Sequence, residues 1–103
     1  MLLVARVDGG ALVGSVAIKR RPDGSGELKR LYVRPSARGL GLGKTLAAAA
    51  VQRARARGYA LLRLDTLPTM AAARGIYASL GFQPAERYSD NPIPGVLFFE
   101  LRL

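Results

Sequence analysis

The stretch Arg38–Thr45, RGLGLGKT, carries three glycines on alternate residues between an arginine and a lysine. Glycine lets a backbone turn sharply and approach a ligand closely, and the flanking cations suit an anion such as a phosphate. The spacing excludes two nucleotide fingerprints. A Walker A loop would need glycine where Arg38 stands, and the dinucleotide pattern G-x-G-x-x-G fails at both of its possible positions. The remaining pattern, Arg38-x-x-Gly41-x-Gly43, predicts a phosphate site of another kind.

The composition excludes several classes of site. The 103 residues include no cysteine and no histidine, which excludes thiolate zinc sites, cysteine nucleophiles and histidine bases, and no metal is expected. Half of the residues are hydrophobic, which predicts one domain over residues 1–103. We find no signal peptide and no apolar run of roughly 20 residues, so a cytoplasmic location is expected. The 16 Lys and Arg residues against 7 Asp and Glu favour an anionic partner.

Apolar periodicity and turn residues predict eight elements in the order β-β-β-α-β-α-β-β. The predicted strands cover residues 2–8, 11–19, 27–34, 60–66, 82–88 and 96–103. One helix follows the glycine-rich loop and stops at Gly58, and a second opens with Thr69 as its N-cap and closes at Gly81. The predicted fold class is α+β, a mixed and mostly antiparallel sheet around a central parallel β-α-β unit.

The glycine-rich loop is predicted to join the third strand to the first helix. The first N–H groups of a helix are unpaired, and the helix dipole adds positive potential there, so the junction suits a phosphate or pyrophosphate. Arg38 can add a charge-assisted contact. The alternative is a plain strand-to-helix turn, although such a turn seldom needs more than one glycine.

Two segments of the chain resemble the GNAT superfamily of acetyl-CoA-dependent N-acetyltransferases. ELKRLYVRPSARGLGLGKTL is similar to the family's fourth strand, pyrophosphate loop and third helix, and Arg38, Gly41 and Gly43 match its signature Arg/Gln-x-x-Gly-x-Gly/Ala. LRLDTLPTMAAARGIYASLGF is similar to the fifth strand and fourth helix, and YSDNPIPGVLFFEL to the closing hairpin of a bacterial branch. The resemblance runs from the first strand to the last residue and implies the GNAT fold.

The resemblance implies acetyl-CoA as co-substrate and assigns its contacts. The pantetheine arm would meet backbone groups of Leu31, Tyr32 and Val33. The pyrophosphate would be wrapped, mainly by N–H groups, by Arg38, Gly39, Leu40, Gly41, Leu42, Gly43 and Lys44. The two parallel strands would splay apart and hold the acyl group between them.

The resemblance also implies direct attack of an amine on the thioester. Tyr77 matches the tyrosine that many members use as general acid, with a core aromatic as the alternative. A backbone N–H near Val33 would stabilise the oxyanion. Glu27, which lies 11 residues before Arg38, matches the catalytic glutamate of some members, while Asp65 and Glu100 are alternative bases.

The chain departs from the family pattern in two places. Met70 stands where many members have an asparagine that contacts the cofactor. The sequence is expected to start at the family's second strand, without the strand and two helices that normally open the fold and cover the acceptor site. The chain is therefore expected to be a fragment, to have a mis-assigned start, or to be a natural minimal form. The apolar first strand would present an open edge, which favours a homodimer.

Two other functions remain open from the sequence. The basic charge alone would suit a nucleic-acid-binding module, and the missing acceptor half would suit a CoA-binding regulatory or degenerate domain. The preferred reading is an acetyltransferase for a small-molecule amine or amino-acid-like acceptor, acting without a membrane.

Overall fold

The structure, a computed structural model, describes residues 2–6, 12–35 and 41–103. Its elements follow the predicted order: β1 (Leu2–Arg6), β2 (Leu12–Arg20), β3 (Gly26–Val33), α1 (Leu42–Ala56), β4 (Leu61–Thr66), α2 (Ala71–Ser79), β5 (Gln83–Pro84) and β6 (Leu97–Arg102). The six strands form one sheet in the order β1-β2-β3-β4-β6-β5. Only β3 and β4 pair in parallel, while the neighbouring pairs are antiparallel. The α+β class and the mixed sheet are confirmed.

Both helices contribute to one core on one face of the sheet. Every second residue of β4 is buried, namely Leu62, Leu64 and Thr66. The side of α1 that faces them is rich in alanine, which lets the helix lie close to the strands. The buried residues of α1 are Leu46, Ala47, Ala50, Val51 and Ala54. The opposite face of β4 carries Arg63 and Asp65.

The parallel seam between β3 and β4 is short. The two strands pair only at Gly26 with Leu62 and at Glu27 with Arg63, although β3 runs on to Val33 and β4 to Thr66. A register shift in the β2–β3 ladder, between Ser15 and Ala17, places two residues of β3 opposite Val16. Such a bulge bends and twists its strand. The seam therefore opens toward the C-terminal ends of both strands, as the resemblance implied.

Two local predictions are wrong. Thr69 is not the N-cap of α2, because a turn in which the Met70 N–H donates to the Leu67 carbonyl precedes the helix, and Met70 takes the N-cap position without a side-chain cap. The strand predicted over residues 82–88 is reduced to Gln83–Pro84. After the Ala85 N–H has donated to the Phe98 carbonyl, the chain leaves the sheet edge.

Among the described residues, no helix is both long and apolar enough to span a membrane.

Candidate functional site

A groove of about 540 Å³ lies between the end of β3 and the first turns of α1 and α2. Its lining comprises Leu31, Tyr32, Val33, Gly41, Leu42, Gly43, Lys44, Thr69, Met70, Ala71, Ala72, Ala73 and Ile76. The first seven are predicted cofactor residues, so the fold brings both predicted segments to one surface. The predicted residues Arg38, Gly39 and Leu40 lie outside the described residues.

One end of the groove is the N-terminus of α1. Gly41 is the N-cap and has a φ of 75°, a left-handed conformation that favours glycine. The first turn of α1 holds no acidic residue, and Lys44 adds a positive charge beside it. Thr45 does not face a ligand in the manner of a P-loop threonine, because its hydroxyl donates to the Gly41 carbonyl at 3.0 Å. The geometry suits an anion held by backbone N–H groups.

Gly43 keeps the groove open where α1 passes α2. A Cβ at this position would lie 3.0 Å from the Ile76 Cδ1 and 3.7 Å from the Val33 Cγ2. A small side chain here would force Ile76 to shift by a few tenths of an ångström, and a larger one would project into the space between the two helices.

The middle of the groove is apolar and partly exposed. Tyr32 is 51% exposed and Met70 is 45% exposed. The Thr66 hydroxyl lies 3.7 Å from the Met70 sulfur, the one side-chain contact that holds Met70 in place among the described hydrogen bonds. The inner face of α2 is divided, since Met70, Ala73 and Ile76 line the groove while Tyr77 enters the core.

Tyr77 packs in the core directly behind the groove. Its ring is 7% exposed and makes an edge contact with Phe82 at 5.7 Å between centroids. Burial, and then the negative charge of Asp65, raise the pKa of Tyr77 above its ordinary value. The phenol therefore stays protonated at neutral pH, as a proton donor must. The predicted role of Tyr77 as general acid stays a prediction.

Glu27 is buried, and its carboxylate already makes hydrogen bonds and ion pairs. Its carboxylate accepts a 2.7 Å hydrogen bond from the Tyr88 hydroxyl and a 3.3 Å bond from Arg21, and Lys29 lies 3.7 Å away. The Tyr88 contact joins residues 61 positions apart, so no local pattern could have found it. Burial, the bond to Glu27 and the charges of Glu27 and Asp65 raise the pKa of Tyr88 far above its ordinary value, against the opposing charge of Arg21. The role of Glu27 as general base stays a prediction.

The two alternative carboxylates lie on the same face of the sheet as Glu27. Asp65 accepts a 3.1 Å hydrogen bond from the Asn91 side chain. Glu100 lies opposite Arg63 on β6, with 3.9 Å between the nearest charged atoms. Of the two, Asp65 is the nearer to the open end of the seam, because β4 stops pairing with β3 after Arg63.

A second, polar cleft of about 410 Å³ lies on this face, where the seam is closed. Residues 85–96, which we call the strap, form one of its walls by crossing the sheet from β5 to β6. The strap is fixed where Arg21 donates to the Tyr88 carbonyl at 3.0 Å and where the Tyr88 ring meets Phe98 edge-on at 5.1 Å. The described residues thus form one concave surface beside the helices and another under the strap. No described cluster of three or more acidic side chains is placed to hold a metal.

Comparison with known proteins identifies the family. The model of the acetyltransferase (GNAT) family matches residues 1–82. This chain belongs to the GNAT family. The groove of this GNAT domain lies between residues of the family signature and the start of α2.

Relatives extend the match to the whole chain. An uncharacterized N-acetyltransferase of Schizosaccharomyces pombe is 42% identical over 104 residues, which cover 100% of this chain and 64% of that protein. The GNAT domain described here therefore spans somewhat less than two thirds of the length of that relative.

Solved structures share the fold. A protein of Klebsiella pneumoniae, assigned as an acyl-CoA N-acyltransferase, superposes with a TM-score of 0.90 at 37% identity over 99% of this chain and 71% of its own. YncA of Salmonella typhimurium, assigned as an acetyltransferase and solved with its cofactor acetyl-CoA, gives a TM-score of 0.83 at 24% identity over 98% of this chain and 63% of its own.

Replacing Gly43 tests the groove. We expect Gly43→Val to weaken acetyl-CoA binding roughly tenfold, because added methyl groups in a packed space cost about 1–3 kcal/mol. Isothermal titration calorimetry measures the change. Gly75→Val is the matched control, since a Cβ at Gly75 in α2 meets nothing within 4 Å. Equal affinity in both variants would contradict the assignment of the groove.

Removing the Tyr88 hydroxyl tests the buried network. A tyrosine whose pKa is raised by folding keeps its proton when the unfolded chain loses one, so stability falls as pH rises above about 10. We expect Tyr88→Phe to be less stable by about 1–2 kcal/mol at pH 7 and to lose less stability toward alkaline pH. Urea unfolding at several pH values measures both effects. Tyr59→Phe is the control, and a Tyr88→Phe profile that parallels wild type would refute the coupling.

Proposed function

We propose that this GNAT domain transfers an acetyl group from acetyl-CoA to the primary amine of a small-molecule or amino-acid-like acceptor. The observation that carries the proposal is the groove, which joins a helix N-terminus without acidic residues to an apolar channel beside the open seam. Acetyl-CoA offers a polyanionic end, which matches the helix N-terminus, and a pantetheine arm with both apolar groups and amides, which matches the channel and the seam. It supplies a thioester that an amine can attack directly, which suits a chain without cysteine or histidine.

Different parts of the groove bind different parts of acetyl-CoA. Gly41, Gly43 and Lys44 hold the pyrophosphate, with Arg38 as a further cationic contact, and Leu31 to Val33 offer backbone groups to the arm. The pairing of YncA with acetyl-CoA in its own structure supports this choice of co-substrate.

Two residues move protons. Tyr77 donates its proton to the leaving sulfur, and its raised pKa keeps that proton available at neutral pH. Glu27 serves as the base. Because its side chain is 4% exposed, it takes the amine proton through the Tyr88 hydroxyl, which lies 2.7 Å from its carboxylate. A backbone N–H near Val33 stabilises the negative charge on the carbonyl oxygen.

Acetyl-CoA is expected to stabilise the folded chain. At a hundredfold excess over its dissociation constant it adds about 2.7 kcal/mol, which raises the melting temperature of a domain of this size by roughly 10 °C. Differential scanning fluorimetry measures the shift, with ADP as a control that lacks the pantetheine arm. Equal shifts with ADP and acetyl-CoA, or salt-sensitive binding of DNA in place of either, would contradict the proposal.

Tyr77→Phe tests the general acid. We expect kcat to fall roughly a hundredfold while the KM for acetyl-CoA stays within about twofold, because a general acid contributes about 10²- to 10⁴-fold. CoA release from pH 6 to 10 measures this. Tyr59→Phe is the matched control, since the half-buried Tyr59 ring packs under Arg20 and not at the groove. Turnover unchanged across this range would remove Tyr77 from the mechanism.

A further inference from the structure

The polar cleft holds both signs of charge in equal number. Its lining comprises three arginines and three carboxylates beside Tyr88: Arg21, Arg63, Arg87, Asp23, Glu86 and Glu100. A site with balanced charges favours a ligand that also carries both signs, whereas a polycation or a dianion would meet uncompensated like charges. The balance contrasts with the strongly basic chain as a whole, which has a net charge of +9.

Arg63 is the arginine with spare binding capacity. Its guanidinium lies 3.5 Å from Asp23 and 3.9 Å from Glu100, both longer than a good charge-assisted hydrogen bond. Its Nε is buried and has no hydrogen-bonding partner among the described residues. Arg21 and Arg87, in contrast, already donate to backbone carbonyls of the strap at 3.0 Å. Because 23% of the Arg63 side chain is exposed, a carboxylate in the cleft can bind its terminal amino groups.

Asp65 lies next to Arg63 on the same face of β4. The two residues are separated by one buried leucine, so their side chains leave the strand about 7 Å apart. Asp65 makes no described ion pair, and its described hydrogen bond comes from the neutral amide of Asn91 at 3.1 Å. Its carboxylate can therefore receive a cation.

Asp65 also lies near the reacting groups of the proposed function. Its charge acts on both Tyr77 and Tyr88 and raises the pKa of each. An ammonium group at Asp65 would therefore lie within electrostatic range of the proposed acid and of the hydroxyl that leads to Glu27. Because β3 and β4 stop pairing after Arg63, the gap between the strands connects the position of Asp65 with the groove.

We propose that the acceptor is an amino acid or a similar amino-carboxylate. Its carboxylate binds Arg63 in the polar cleft and its ammonium binds Asp65, whose own carboxylate is positioned by Asn91. The inference rests on the proposed acetyl transfer and specifies its acceptor. The acceptor enters from the face opposite the helices, and its amine meets the thioester at the open end of the seam. Acceptors whose two charges lie within about 7 Å fit this spacing.

A matched acceptor panel tests the inference with the full chain. The twenty standard amino acids, β-alanine and γ-aminobutyrate are each compared with the corresponding carboxamide, with CoA release as readout. We expect transfer to the acids to exceed transfer to the amides. In Arg63→Met the KM for the acids should rise roughly 10- to 100-fold with the amides unaffected, as expected for loss of a charge-assisted bond. Asp65→Asn should raise the KM for the acids and for the amides alike, because both carry the ammonium group.

Arg55→Met is the control variant, because Arg55 is exposed on α1, away from both cavities. Calorimetric titration of the acids into the CoA-bound protein separates the two proposals. Binding weakened by Arg63→Met but without transfer would support the acceptor site and reject the acetyltransferase. Transfer to amides as efficient as to acids, an equal effect of Arg63→Met on both, or no amino acid binding would overturn the acceptor site.

Discussion

The arrangement of the molecule depends on the point at which β3 and β4 stop pairing. Two residue pairs hold the parallel strands together, and the bulge in β3 then carries them apart. Beyond that point the described residues of β3 and β4 form no ladder across the seam, so a gap opens between the strands. Such a gap can admit an extended ligand that carries amides. The same opening joins the groove beside the helices to the strap side of the sheet.

The two sides of the seam differ in their electrostatics. On the helix side, the start of α1 is free of acidic residues and attracts anions. On the strap side, charges of both signs pair with one another. The buried carboxylate of Glu27 forms ion pairs with Arg21 and Lys29 and accepts a hydrogen bond from Tyr88. Burying a carboxylate without such partners would be costly. The network therefore fixes the strap while it leaves Asp65 and Arg63 incompletely engaged.

Much of the fold could be predicted because its signals are local. Apolar periodicity and turn residues predicted the element order, and the glycine-rich loop predicted Gly41 and Gly43 at the start of α1. The two errors have different causes. A local turn competed with Thr69 for the start of α2, whereas the segment after Pro84 leaves the sheet and contacts residues far away in the chain. The predicted roles of Tyr77 and Glu27 concern chemistry and stay predictions.

The sequence by itself determined the element order, the family resemblance and the residues that could meet a pyrophosphate, because backbone conformation and motif spacing are properties of short segments. Tertiary structure decided which side chains share a cavity. It divided the inner face of α2 between groove and core, buried Glu27 under Tyr88, and brought Asp23 and Glu100 to Arg63. These outcomes depend on strand register and on contacts between residues far apart in the chain, which no local pattern encodes.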